Sequence, residues 1–322
     1  MCVNCRPLVG AIEAYIQKAD DDLAAAMAEE GFCDVKRTVK FIGQLENEVA
    51  EALLSERDYI LAEAEKAADL QAFAEYIWPE VQLNDFLLLK LALIFKERFS
   101  EFVPDIAAVY LAELDKGLKI KKVSRRTTAW VENWSRELAG IMQLNSHREI
   151  ERILQQGLQE GIGVNVFARR IIDSGLRNEY YKARRVAVTE VLTVHSAAQQ
   201  EAFLQSPATE AKRWRHTGIY VVGPRPNHLA MDGQIVPKSQ PYELVGADGS
   251  LYYPQFPRDT SLPPAERIEC HCLSQGIASE AVLGLPLAER QRLQQQAIDK
   301  LDAAWAAEYE ARNQAMVGYP ED

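Results

Sequence analysis

The sequence predicts an α+β protein: long helical N-terminal and middle regions followed by a small α+β C-terminal module with a short sheet. Two observations carry this. Up to about residue 204, apolar residues recur at 3.6-residue spacing among Ala, Leu, Glu and Lys. Beyond it, most of the prolines and several glycines separate short β-prone runs. With 48% hydrophobic and 26% charged residues over 322 positions, the chain has an ordinary globular composition and room for two or three domains.

Residues 10–120 read as helices, with Phe41, Leu45, Val49 and Leu53 forming one stripe. Pro79 and Pro104 are expected to mark helix ends or kinks. No catalytic constellation stands out here. The net charge is −11, and residues 1–110 alone carry that amount, whereas 121–190 carry +5. The overall sign excludes broad coating of nucleic acid. An acidic, alanine-rich helical block suits a protein partner. Lys116, Lys119, Lys121, Lys122, Arg125 and Arg126 form a local basic cluster, which is either a weak DNA contact or a solvated linker face.

Residues 127–204 form a second helical block. Trp130, Trp134, Leu138 and Ile141 share a face, as do Ile150, Leu154 and Leu158. After the break at Gly161-Ile162-Gly163, Asn165 is expected to cap a helix over 166–174, with Gly175 closing it. A long helix over 178–204 then carries Arg184, Arg185, Thr189, Glu190 and His195.

From residue 205 the reading changes to a strand over 214–222 and a hairpin turning at Asp248-Gly249, between Leu244-Val245 and Leu251-Tyr252-Tyr253. Residues 279–315 return to helix, with Leu283, Leu287, Leu293 and Ile298 apolar, and 318–322 are expected to be loose. The expected organisation is therefore a helical docking region over 1–126, a central domain over 127–278 whose part 205–278 contains the strands, and a C-terminal helix and tail over 279–322. No apolar run approaches the ~20 residues of a membrane span, and no signal peptide is visible, so the chain is expected in cytoplasm, away from membranes. Five cysteines are an odd number for a disulfide framework; Cys2 and Cys5 at the N-terminus, and Cys33, read as reduced thiols.

The informative constellation is His228-Leu229-Ala230-Met231-Asp232-Gly233, followed about forty residues later by Glu269-Cys270-His271-Cys272. Asp232-Gly233 is a turn dipeptide that would present His228 from the preceding helical turn. Cys-x-Cys on extended backbone places two thiols on one side, so that His271 points away. His228, Cys270 and Cys272 are thus candidate ligands of a zinc ion, with Asp232, His216 or water in the fourth position. Three readings stand: a zinc site; a buried turn in which His228 and Asp232 hydrogen-bond while the cysteines pack as small apolar groups; and acid–base catalysis by His228, Asp232 and Glu269.

Taken in order, Arg184-Arg185-Val186-Ala187-Val188-Thr189-Glu190, then Trp214, then His228 through Asp232-Gly233 to Pro237, then Cys270-His271-Cys272 resembles the phage Mu F-like head morphogenesis family, over about residues 148–277. The resemblance makes Arg184, Thr189, Glu190, Trp214, Asp232 and Gly233 motif positions. Met231 and His271 depart mildly from the family pattern. Tyr220-Val221-Val222-Gly223 lacks the acidic residue that often follows the tryptophan strand, and Arg225 stands where some relatives carry a cysteine. What the resemblance implies is a phage or prophage minor capsid protein that binds the portal and procapsid or scaffold proteins, assists head assembly and DNA packaging or ejection, and has no catalytic residues. Its place would be the host cytoplasm during assembly, then the head interior or portal vertex. The alternative is a toxin-like or nucleic-acid-processing enzyme using His228, Asp232 and Glu269.

Overall fold

The computed structural model describes residues 6–217 and 225–317. The α+β expectation holds: among the described residues, seven α-helices and one π-helical turn precede the first strand, and all five strands lie between 209 and 278. Cys2, Cys5, the Tyr220–Gly223 departure and the tail 318–322 lie outside the described residues.

Helix α1 (Arg6–Glu30) ends at Gly31, whose φ of +91° turns the chain so that the Phe32 amide donates back to the Met27 carbonyl. In α2 (Val35–Ala64) the predicted stripe Phe41, Leu45, Val49 and Leu53 is buried. The Asp69 carboxylate accepts from the Ala72 amide and so caps α3 (Leu70–Ala72), which runs through a π-helical turn (Phe73–Ile77) into α4 (Trp78–Gln82). Pro79 sits at the start of α4, where a missing N–H costs least.

Pro104 does not end a helix: of the two alternatives, an end or a kink, the end is excluded, because it lies inside α5 (Phe86–Leu114). Phe102, Val103, Ile106 and Ala107 around it are buried, and this packing carries the helix across the lost hydrogen bond.

Helix α6 (Arg125–Glu160) closes at Gly161, with φ +66° and the Ile162 amide on the Gly157 carbonyl. A second correction follows. Residues 164–205 form one continuous helix, α7 (Val164–Gln205), so Asn165 is not a cap and Gly175 closes nothing. Phe167 and Ile171 on one side of the glycine, and Ala183, Ala187 and Val191 on the other, are buried, which outweighs the ~1 kcal/mol that a helical glycine costs. On α6, Trp134, Leu138, Ile150 and Leu154 are buried as expected, whereas Ile141 is exposed.

Packing groups residues 1–41, 102–127 and 192–322 into one unit and 42–101 and 128–191 into another. The second unit is wholly helical, and its core gathers Ile60, Leu70, Phe73, Trp78, Val81, Ile153, Leu154, Phe167 and Ile171.

In the first unit, His195 is enclosed by Phe32, Phe102 and Tyr110; its Nδ1 lies 3.3 Å from the Tyr110 hydroxyl and its Nε2 3.3 Å from the Cys33 carbonyl. Glu201, also buried, accepts from the Ser124 amide and hydroxyl and from the Thr127 hydroxyl at the start of α6.

The sheet of this unit has the order β2-β1-β5, all antiparallel, with β1 (Thr209–Arg215) central, β2 (Ile235–Pro237) on one side and β5 (Leu273–Ala278) on the other. The first strand therefore starts five residues earlier than the 214–222 expected. β3 (Leu244–Val245) and β4 (Leu251–Tyr252) pair as the predicted hairpin, Leu244 opposite Tyr252, with Gly249 at φ +80° in its turn. Short helices α8 (Pro226–Ala230) and α9 (Pro264–Arg267) flank the hairpin in sequence; α10 (Glu280–Leu283) and α11 (Leu287–Val317) follow β5. Ile298 is buried and Leu287 is exposed.

The basic cluster 116–126 is partly neutralised by α11. Lys122 Nζ lies 2.7 Å from Asp302 Oδ2, the Arg125 amide donates to Asp302, and Arg126 pairs with Glu308. Among the described residues, no helix is long and apolar enough to cross a membrane.

Candidate metal centre

The turn at 228–233 forms as the sequence dictates. Pro226 starts α8 at a position where its fixed φ suits a helix, and His228 falls in the single turn that follows. Gly233, at φ +84°, lets the chain reverse into β2, with its amide on the Trp214 carbonyl. Asp232 Oδ1 accepts from the His216 amide at 2.8 Å, which ties this turn to the end of β1. On the other side, Pro263 and Pro264 start α9, after which Glu269 takes φ +57° and turns the chain into the extended Cys270-His271-Cys272.

His228, Cys270 and Cys272 converge although more than forty residues separate them in sequence. His228 Nδ1 lies 3.5 Å from Cys270 Sγ and 3.7 Å from Cys272 Sγ, and all three side chains are buried. His271 points away, its Nδ1 2.7 Å from the Glu30 carboxylate. Asp232 and Glu269 do not join the group: the one cluster of three or more metal-ligating side chains among the described residues is His228, Cys270 and Cys272. Of the fourth-position alternatives, neither Asp232 nor His216 joins the cluster, and the Asp232 carboxylate accepts from the His216 amide.

Two residues without a sequence signal complete the surroundings. Glu266 Oε2 lies 2.9 Å from His228 Nε2 and accepts from Asn227 Nδ2 at 2.9 Å, while its Oε1 accepts from the Ala247 amide at 2.8 Å. Arg258 is buried at φ +69°. Its Nη1 donates to the carbonyls of both Cys270 (2.6 Å) and Cys272 (2.9 Å), its Nε to the Leu192 carbonyl, and its Nη2 to the Ser196 hydroxyl. This one guanidinium fixes the backbone of both thiol residues. A glutamate inside Pro-Ala-Glu-Arg and an arginine inside Phe-Pro-Arg-Asp look like ordinary surface charges in one sequence, which is why neither stood out.

The electrostatics favour an ionised sulfur. A hydrogen bond from Cys272, assisted by His228 and by the Arg258 charge, pushes the Cys270 thiol well below its ordinary range; donating that bond, together with burial, pushes Cys272 up. Burial works against a charged His228, but hydrogen bonding to Cys270 and Glu266 outweighs it and raises the imidazole. Burial likewise works against the Glu266 carboxylate, which its Ala247, Asn227 and His228 partners nevertheless hold below the usual range.

Trp214 and Tyr242 pack edge-to-face at 5.1 Å, and Trp214 meets the His228 ring at 5.9 Å, so the cluster sits against an aromatic wall with Met231, Leu244 and Leu262. The donor set suits a soft, tetrahedral cation. Zn–S and Zn–N bonds of ~2.3 and ~2.0 Å at a tetrahedral angle separate nitrogen from sulfur by about 3.5 Å, and the two N···S distances here are 3.5 and 3.7 Å.

The remaining motif positions lie in the helical unit. Arg184 Nη1 pairs with Glu46 at 3.0 Å, Glu190 Oε2 accepts from Trp134 Nε1 at 2.8 Å, and Thr189 is buried on the same helix. They brace helices there and hold no ligand group of the centre.

The chain is thus helix-rich, with a small, proline-punctuated sheet beside a Cys-x-Cys and a histidine. Residues 148–275 match the family described as Phage Mu protein F like protein, which supports a Mu F-like protein and suggests a role in phage head morphogenesis. The chain is also 27% identical over 311 residues to the uncharacterized protein YqbB of Bacillus subtilis (strain 168), spanning 92% of this chain and 98% of that protein. No solved structure matches.

Proposed function

We propose that the chain is a minor head protein of a tailed phage or prophage that binds the portal or procapsid and assists head assembly. The Mu F-like match carries this reading. Two features of the molecule support it. The His228 neighbourhood is buried and saturated by Glu266, Cys270 and Cys272, an arrangement that suits structure more than turnover and disfavours the enzyme built on His228, Asp232 and Glu269. Within the helical segment 10–120, Tyr76, Leu83, Phe86, Leu89 and Leu93 leave large apolar side chains at least half exposed, and three of them recur along one stripe of α5. Surfaces of this kind mark protein contacts, and in this reading the occupant is a portal subunit. A DNA contact through residues 116–126 has less support, because Asp302 and Glu308 already neutralise part of that cluster.

The same reading makes zinc on His228, Cys270 and Cys272 the staple of the strand-containing module. Structural zinc sites contribute directly to folding in domains too small for a full apolar core.

The test is co-purification of the full chain with the portal protein of the phage or prophage that encodes it. Wild type is expected to bind, and the triple change Leu83→Ser, Leu89→Ser, Leu93→Ser is expected to keep its helical circular dichroism while losing the portal. Undiminished binding by the triple variant would take the docking surface away from this apolar stripe. Failure of wild type to bind portal, together with His228-dependent hydrolysis of a nucleic acid, would favour the enzyme.

A further inference from the structure

We propose that Glu266 is the positioning residue of the metal centre: it holds His228 in the single tautomer and orientation that aims Nδ1 between Cys270 and Cys272. The inference rests on the zinc reading of that site and adds to it which histidine nitrogen binds and what fixes it.

The argument begins with hydrogen-bond capacity. A neutral imidazole carries one N–H and one lone pair. A carboxylate accepts only, so Glu266 Oε2 at 2.9 Å from Nε2 holds a proton on Nε2, and in a metal-bound, neutral ring the lone pair is then on Nδ1. That lone pair faces two sulfurs at nearly equal distances, 3.5 and 3.7 Å. A position nearly equidistant from both sulfurs suits a cation placed between all three atoms. A metal-bound histidine whose other nitrogen donates to a carboxylate is the general pattern for fixing ring orientation and raising ligand basicity.

The carboxylate is itself held. Asn227 Nδ2 and the Ala247 amide occupy its two oxygens at 2.9 and 2.8 Å, so it cannot swing away from His228 without breaking both hydrogen bonds. The two donors come from α8 and from the β3–β4 turn, and the carboxylate itself from α9. Three segments thus converge on Glu266, a degree of restraint that a residue filling space does not need.

The experiment uses the full chain, purified with metal and compared with Glu266→Gln. Metal content, zinc affinity by chelator competition, and the absorption of the cobalt-substituted protein are measured on both. Wild type is expected to hold one metal per chain. Folded Glu266→Gln is expected to bind zinc about 10- to 100-fold more weakly, the range seen on losing such a partner. Its sulfur-to-cobalt charge-transfer bands should persist while the ligand-field bands shift.

A second measurement needs no variant: nitrogen-15 chemical shifts of His228 in the wild-type, metal-loaded chain should show Nε2 protonated and Nδ1 metal-bound. Wild-type affinity in folded Glu266→Gln, or coordination through Nε2, would overturn the role of Glu266 and leave the zinc site standing. No metal on the wild-type chain would remove the site and the inference together.

Discussion

The helical unit and the strand-containing module solve the same problem with different materials. The unit of residues 42–101 and 128–191 buries regular stripes: Ile60, Phe73, Trp78, Val81, Leu154 and Phe167 meet as apolar surfaces, with buried polar contacts such as Trp134 on Glu190 and His147 beside Glu56 among them. The module from β1 to β5 has strands of two to seven residues, and its apolar cluster reduces to Trp214, Met231, Tyr242, Leu244, Leu262 and the two cysteines. Its interior is completed by charges. Arg258, Lys212, Glu266 and His228 are all buried. Lys212 Nζ donates to Gln200 Oε1 and to both the carbonyl and the side chain of Gln255, and lies 5.1 Å over the Tyr242 ring; burial pushes it down to about 7. Long helices gain order from periodic burial, whereas a short, proline-broken chain gains it from hydrogen bonds that must all be made at once.

The largest expected effect breaks that network. Arg258→Met removes the donor from four hydrogen bonds at once. At roughly 1.5 kcal/mol for each bond to a charged group, the loss is about 6 kcal/mol. Urea denaturation should show the module no longer folded while the far-ultraviolet helical signal persists in large part. A variant as stable as wild type would show that the apolar cluster suffices.

Phe73→Ala is the counterpart in the helical unit. Phe73 is fully buried against Trp78 and Phe167, and its truncation should cost about 3–5 kcal/mol. Metal affinity, measured by chelator competition, should not change, because no residue of the centre belongs to that unit.

How much of this was legible follows from the same contrast. The helical stripes, the β3–β4 hairpin and the approach of His228 to Cys270 and Cys272 were visible because periodicity, Asp-Gly turns and Cys-x-Cys spacing are local patterns. The continuity of α7 through Gly175 and of α5 through Pro104 was not, because tertiary burial outweighed local propensity. Glu266 and Arg258 were invisible for a related reason. Their partners come from segments up to 66 residues away, and nothing next to them in sequence distinguishes a buried charge from a solvated one.

A pH series sharpens the comparison at a third site. Burial pushes His195 from 6.5 down to about 3. The unfolded chain therefore takes up a proton between about pH 6.5 and 3 that the folded chain refuses, so stability is full above this window and falls as pH falls through it. The slope should approach ~1.4 kcal/mol per pH unit. His195→Gln should flatten that part of the curve, and an unchanged slope would assign the acid sensitivity to other groups.

The smallest effect concerns the turn. Gly233→Ala meets open space but must take φ +84°, at a cost of about 1–2 kcal/mol. The change should appear as a small shift in the denaturation midpoint with metal content unaltered.

The central proposal, that charge and a bound metal rather than apolar burial organise the strand-containing module, is tested most directly by native-state hydrogen exchange with and without a strong zinc chelator. On chelation, the amides of β1 and β5 should lose protection by several orders of magnitude, while those of α6 over residues 128–160 keep theirs. Protection of β1 and β5 that is indifferent to the chelator would contradict the account.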